Sequence, residues 1–172
     1  MIITRKANFD SMHRVMDHPG KCANIHGHTY LYEIQIDTTV GDIGYGIDFA
    51  DVKTILQYYI DGYLDHGAIL NPADVDIIQL CESMKSKHYI MKTLRSSQDY
   101  MNPSAENISR EMYYVLHILF KRQNIIGYNG INNIRLYETP NCYVDFSKNN
   151  FTDYEYYSFL NDKKLEPIFD NI

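Results

Sequence analysis

From His28 to Val40 the chain reads HTYLYEIQIDTTV, and its side chains alternate. Tyr30, Tyr32, Ile34 and Ile36 fall on one side of a period-two pattern, with Leu31, Glu33 and Gln35 on the other, which predicts a half-buried strand. The opening ITRKANFDSMHRV (3–15) is also strand-like. Between them lies MDHPGKCANIHG, an irregular loop marked by its Pro-Gly pair and long enough for the two strands to pair antiparallel.

Three glycines in GDIGYGIDF then punctuate the chain, and Asp48 stands as N-cap before the apolar series Phe49, Val52, Leu56, Tyr59 and Tyr63, a helix of about four turns. That helix ends in LDHGAILN (64–71). A second helix starts at NPSAEN (102–107), capped by Ser104 with Asn107 three residues on, and buries a stripe of Ile108, Met112, Val115, Leu116 and Leu119. IIGYNGINN breaks it, and IRLYET and CYVDF read as a second pair of strands. Strand, strand, helix, helix, strand, strand is an α+β order with antiparallel pairing; strands and helices do not alternate singly, so a doubly wound fold is not expected. Two segments read as peripheral: 72–101 is mixed and polar without a clean period, and 147–172 is rich in Tyr, Asn and Asp. The expected organisation is one domain over 1–146 with an insertion at about 72–101, followed by a C-terminal extension over 147–172.

Composition narrows the class. A chain of 172 residues forms one domain that buries about 70% of its unfolded surface. Its three cysteines, Cys22, Cys81 and Cys142, share no short spacing, so free thiols in a reducing compartment are expected rather than a disulfide framework. The N-terminus lacks the apolar core of a signal peptide, and no stretch reaches the eighteen or so apolar residues of a membrane span. The expectation is a soluble cytoplasmic protein with no membrane partner. A net charge of −6 argues against a broad nucleic-acid surface and favours a small-molecule partner.

The candidate chemistry centres on CANIHGH (22–28). His26 and His28 are two apart, so at the start of a strand both imidazoles point to one face, and His13 near the end of the preceding strand is within cross-strand reach. Taken singly, each is as well explained as a surface or hydrogen-bonded histidine; together, three neutral imidazoles suit zinc and leave a fourth position open, as in catalytic sites. Cys22 is either a small buried hydrophobe or a thiolate beside the cation, and in the second case either a ligand or a general base. Asp65-His66 is either a helix-end charge pair or a carboxylate orienting an imidazole for proton transfer. Glu138 alternates with Ile134 and Leu136 on a core-facing side, where it needs a partner: a protein cation such as Arg14, or a planar ligand edge with two parallel N–H donors.

Taken together, FDSMHRV, CANIHGH, GIDFADVK, LDHGAILN, NPSAEN and YET, in this order, resemble the 6-pyruvoyltetrahydropterin synthase and 6-carboxytetrahydropterin synthase family, over about residues 3–71 and 102–146. The resemblance implies the tunnelling fold, in which antiparallel sheets of several subunits close into a barrel with active sites between chains; a homo-oligomer, a hexamer by this resemblance, is expected. It implies catalytic zinc on His13, His26 and His28, with Cys22 as proton-abstracting base. Asp65 and His66 would form a second acid/base couple brought from another subunit. Glu138 would anchor the pterin, with Ser104 and Glu106 of NPSAEN among the substrate-binding residues; Ser104 stands where the family has Thr and keeps the hydroxyl. The implied substrate is 7,8-dihydroneopterin triphosphate, for whose phosphates Lys21, Arg14 and Lys53 are available. Three residues between Cys22 and the HGH look like the bacterial 6-carboxytetrahydropterin synthases of queuosine and other 7-deazaguanine pathways, whose reaction releases acetaldehyde and triphosphate. The alternatives are a pyruvoyl-forming synthase and a non-catalytic zinc- or pterin-binding module.

Overall fold

In a computed structural model, residues 1–92 and 102–172 are described. The elements in chain order are β1 (Ile2–His13), β2 (His26–Thr38), α1 (Phe49–Tyr59), β3 (Gly67–Leu70), α2 (Val75–Ser83), β4 (His88–Ile90), α3 (Ala105–Arg122), β5 (Tyr128–Thr139), β6 (Cys142–Ser147), α4 (Asp153–Leu160) and α5 (Glu166–Asp170). The strands form one sheet in the order β4-β3-β1-β2-β5-β6. The chain is α+β, as its pattern predicts.

The central pairings β1–β2, β2–β5 and β5–β6 are antiparallel. The expectation of a wholly antiparallel sheet fails at one edge, where β1–β3 and β3–β4 pair parallel. Residues Gly67–Leu70, read from sequence as a helix end, are that added strand. Ala68, Ile69 and Leu70 are all buried, so no alternation betrays a strand covered on both faces.

Asp48 caps α1 as expected, accepting the Ala50 N–H at 2.7 Å. The helix then widens into a π turn over Ile60–Leu64, which completes the predicted four turns. Ser104 caps α3 by accepting the Asn107 N–H at 3.4 Å. The predicted stripe on α3 is too narrow: twelve of its eighteen residues are buried, Tyr113, Tyr114, Ile118 and Phe120 among them. A helix buried on most sides must be covered twice.

The second cover is the C-terminal segment, which is not peripheral. Phe159, Leu165, Ile168 and Phe169 are all buried in the main core, and Phe159 stacks on Tyr114 with ring centroids 5.0 Å apart. Full burial of a Phe side chain contributes about 1.5–3 kcal/mol. Ion pairs frame the contact: Arg110 with Glu155 at 2.6 Å, Lys92 with Asp162, and Arg122 with Asp170. Within 72–101 the described part is also ordered by packing, because Cys81 of α2, with Ile77 and Ile78, closes a small apolar cluster around Ala68 and Leu70. The remainder of that segment, 93–101, lies outside the described residues.

One buried charge site sits between these layers. Glu111 of α3 is 1% exposed and accepts the Tyr89 hydroxyl at 2.7 Å and the Lys92 N–H on both oxygens at 3.0 Å. Burial pushes its carboxyl up to about 7 from the ordinary 4.5, against these donors. The folded chain therefore holds a proton that the unfolded chain releases, so this stabilisation is full below about 4.5 and is lost as pH rises through about 7. In thermal melts the Tm advantage of the unaltered chain over Glu111→Gln should be larger at pH 5 than at pH 8. A gap that does not move with pH would remove Glu111 as the titrating group.

Candidate metal centre and its cavity

The β1–β2 register sets His13 directly opposite His26, with His28 two residues further along the same face. Gly27 makes the approach feasible: a Cβ there would lie 3.1 Å from the Ser11 carbonyl oxygen on the neighbouring strand. The ring centroids are 4.5 Å apart for His13 and His26, 5.1 Å for His13 and His28, and 5.0 Å for His26 and His28.

Two of the rings are oriented by main-chain carbonyls. His13 Nδ1–H donates to Pro103 at 2.6 Å and His26 Nδ1–H to Asn24 at 2.8 Å, which leaves each Nε2 with a free lone pair. His13 Nε2 and His28 Nε2 are buried without a hydrogen-bond partner. Burial also holds both imidazoles below their ordinary range, in the His13 case despite its bond to Pro103, so the neutral, ligating form prevails near neutral pH. One ring nitrogen from each histidine lies within 4.8 Å of the others. Neutral imidazoles with orphaned nitrogens turned to one point fit a metal ion.

Glu138 is the next group out. Its Oε1 lies 3.6 Å from His13 Nε2 and 3.7 Å from His28 Nε2. Arg14 is not its partner: that guanidinium holds Asp74 bidentately at 2.5 and 2.6 Å, and among the described residues Glu138 has no Lys or Arg partner. Its carboxylate is part of the wall of a cavity of about 410 Å³ that also takes in Cys22, Ser104, Glu106, Cys142 and Tyr143. Cys22 stands on the 3₁₀ turn Lys21–Ala23, half-buried, outside the set of grouped ligand atoms. Lys21 and Lys53 are exposed.

Asp65 and His66 form the expected pair but not in this cavity. His66 Nδ1 is 2.7 Å from Asp65 Oδ2, and both residues are tied to Asp10, whose N–H donates to Asp65 Oδ1 at 2.8 Å and whose carbonyl accepts the His66 N–H at 2.7 Å. Burial raises the Asp65 carboxyl, but the Asp10 and His66 donors outweigh it and hold it below the usual range. His66 takes a φ of 53°, costly for a residue with a side chain. Lys87 secures the turn by donating to the Asp61 and Asp65 carbonyls, both at 2.8 Å. The imidazole borders a separate open groove with Asp10, Gly27, His28 and Thr29.

Sequence reasoning did not find Lys87, Tyr30 or the Pro103 carbonyl. Lys87 falls where periodicity gives no signal, and a carbonyl leaves none. Tyr30 was legible only as a core position; it is fully buried, its ring 5.8 Å from His13 and 5.5 Å from His28, with an unpartnered hydroxyl.

The profile of the family described as "6-pyruvoyl tetrahydropterin synthase" matches residues 2–149. The chain belongs to that family. It is 37% identical over 145 residues to the 6-carboxy-5,6,7,8-tetrahydropterin synthase of Rickettsia felis, a match covering 83% of this chain and 96% of that protein. The enzyme of the same name from Haemophilus influenzae is 29% identical over 153 residues, covering 85% and 98%. Among solved structures, the 6-pyruvoyl tetrahydropterin synthase of Caenorhabditis elegans superposes with a TM-score of 0.59 at 18% identity, covering 86% of this chain and 94% of that one. An uncharacterized protein from Wolinella succinogenes gives 0.62 at 15% identity, covering 86% and 98%. The fold is thus the tunnelling fold of this family, and no helix among the described residues is long and apolar enough to cross a membrane.

The ligand set is open to direct test. His26→Ala should weaken metal binding by more than the roughly 10–100-fold that loss of an outer hydrogen-bond partner costs. Atomic emission on the purified variant is the measurement, and unchanged metal content would strike His26 from the set.

Proposed function

We propose that this chain is a zinc-dependent 6-carboxy-5,6,7,8-tetrahydropterin synthase acting on 7,8-dihydroneopterin triphosphate. The observation that carries this is the meeting of three histidines with Glu138, which lines a cavity together with Cys22. Relatives at 35–37% identity that bear the carboxy-forming name favour that branch, as does the three-residue spacing from Cys22 to the HGH. On this reading the product enters 7-deazaguanine synthesis of the queuosine type.

His13, His26 and His28 would hold zinc through neutral nitrogens. Zinc bound there supplies Lewis acidity to hydroxyl groups of the substrate side chain. Glu138 accepts two parallel N–H groups from the amino-pyrimidine edge, a match that fixes the ring by geometry as well as charge. Cys22, as thiolate, takes a proton from the side-chain carbon next to the ring, acting as a base rather than a ligand. Ser104 and Glu106 border the same space and would contact the pterin there. Asp65 orients His66 to donate or accept the second proton, and because that pair opens onto a different groove in one chain, it serves the cavity of a neighbouring copy in a homo-oligomer.

Mass identification of the products after incubation with dihydroneopterin triphosphate should show 6-carboxytetrahydropterin with acetaldehyde and triphosphate. Recovery of 6-pyruvoyltetrahydropterin would move the chain to the other branch, and no conversion would leave a binding module. For Cys22→Ala, turnover should fall by roughly 10²–10⁴-fold, the share usual for a positioned base, with zinc retained. Zinc lost together with turnover would instead make the cysteine a ligand.

A further inference from the structure

LDHGAILN ends on Asn71 and NPSAEN begins on Asn102, and neither asparagine lines the cavity of Cys22 or the groove of His66. In the fold they meet: Asn71 Nδ2 donates to Asn102 Oδ1 at 2.8 Å. Asn71 is 1% exposed, and its own Oδ1 accepts the Ala73 N–H at 2.9 Å.

Asn102 then clamps the chain just past the first candidate ligand. Its Oδ1 accepts the Met16 N–H at 2.9 Å and its Nδ2 donates to the Met16 carbonyl at 3.0 Å, so one side-chain amide satisfies both main-chain groups of a residue in an irregular loop. The main chain of Asn102 is pinned in turn, its carbonyl accepting the Ser104 N–H at 2.8 Å and Asn107 Nδ2 at 2.9 Å. The next residue is Pro103, whose carbonyl takes the His13 Nδ1–H at 2.6 Å. Strand end, Met16, Asn102, Pro103 and His13 thus close a ring of bonds that joins β1 to the start of α3. If the Pro103 carbonyl moved away, His13 would keep a buried, unsatisfied Nδ1–H or shift its proton to Nε2 and cease to present a lone pair.

We infer that Asn71 and Asn102 are positioning residues for the metal centre: they hold the Pro103 carbonyl against His13 and so keep its Nε2 aimed at the ion. The inference rests on the proposed metal role of the three imidazoles.

Zinc affinity by chelator competition on the full chain is the first measurement. Asn102→Ala should bind zinc roughly 10–100-fold more weakly, and Asn71→Ala should show a smaller loss in the same direction. The second is the His13 Nδ1–H proton resonance of the metal-free protein, protected from exchange in the unaltered chain and lost in Asn102→Ala. Asn102→Asp keeps both accepted bonds but sets a carboxylate oxygen against the Met16 carbonyl, so it opens the Met16 clamp and serves where the alanine variant does not fold. Phe159→Ala, a destabilising change in the C-terminal segment, should leave zinc affinity intact. Unchanged zinc affinity in the Asn102 variants overturns the inference, as does an equal loss in Phe159→Ala. A parent chain that takes up no zinc overturns the metal reading itself, whereas zinc uptake that these variants leave untouched overturns only the clamp.

Discussion

Pairing of β1 with β2 in the register that sets His13 against His26 is the interaction on which the rest depends, because side chains alternate and a slip by one residue would send His26 and His28 to the opposite face from His13. The connection between the strands is too long to impose a register as a tight hairpin does. The core imposes it instead: Tyr30, Tyr32, Ile34 and Ile36 continue the histidine face into the interior at 0–3% exposure, and Phe9 stacks on Tyr30 at 5.1 Å. A slip would expose all four. The apolar face that folds the sheet therefore also gathers the three histidines, and Gly27 removes the one Cβ that would hold the strands apart there.

The same face carries polar atoms into the interior: His13 Nε2, His28 Nε2 and the Tyr30 hydroxyl are buried without a hydrogen-bond partner in the protein, an unfavourable burial unless a ligand meets them. Such a concentration of unsatisfied groups at one place is what a fold tolerates where function requires it. Compensation comes from packing elsewhere, and the C-terminal helices matter here: by covering the outer side of α3 they turn a helix with one buried stripe into one buried on most sides. The histidine-bearing end of the sheet rests on a core that this segment helps to close.

What was legible in the sequence follows from which forces leave a periodic mark. Strands with one wet face alternate, and caps occupy fixed offsets, so β1, β2, α1 and the start of α3 could be read, and with them the three histidines. Ala68, Ile69 and Leu70 are covered on both faces and leave no period, which hid β3 and its parallel pairing. In the C-terminal segment Phe159 lies among tyrosines that are largely exposed, such as Tyr154 and Tyr157, so composition there looked peripheral. The Arg14 alternative for Glu138 failed because an acid sixty residues away, Asp74, captured the guanidinium first; its partner lay in a segment without pattern. Main-chain carbonyls, which orient His13 and His26, have no signature in any sequence.

A left-handed His66 is strained, yet three separate groups enforce it: the Asp10 carbonyl on its N–H, the Asp10 N–H on Asp65, and Lys87 on the Asp65 carbonyl. Packing alone would not call for so much restraint on a side chain that is 76% exposed. With Nδ1 tied to Asp65, the free end of the imidazole among the described residues is Nε2, and it borders a groove apart from the one that Cys22 lines. What these bonds hold rigid is an outward-facing imidazole on a groove that takes in His28 but not Cys22, a strained feature of the kind folds keep at functional sites rather than for packing.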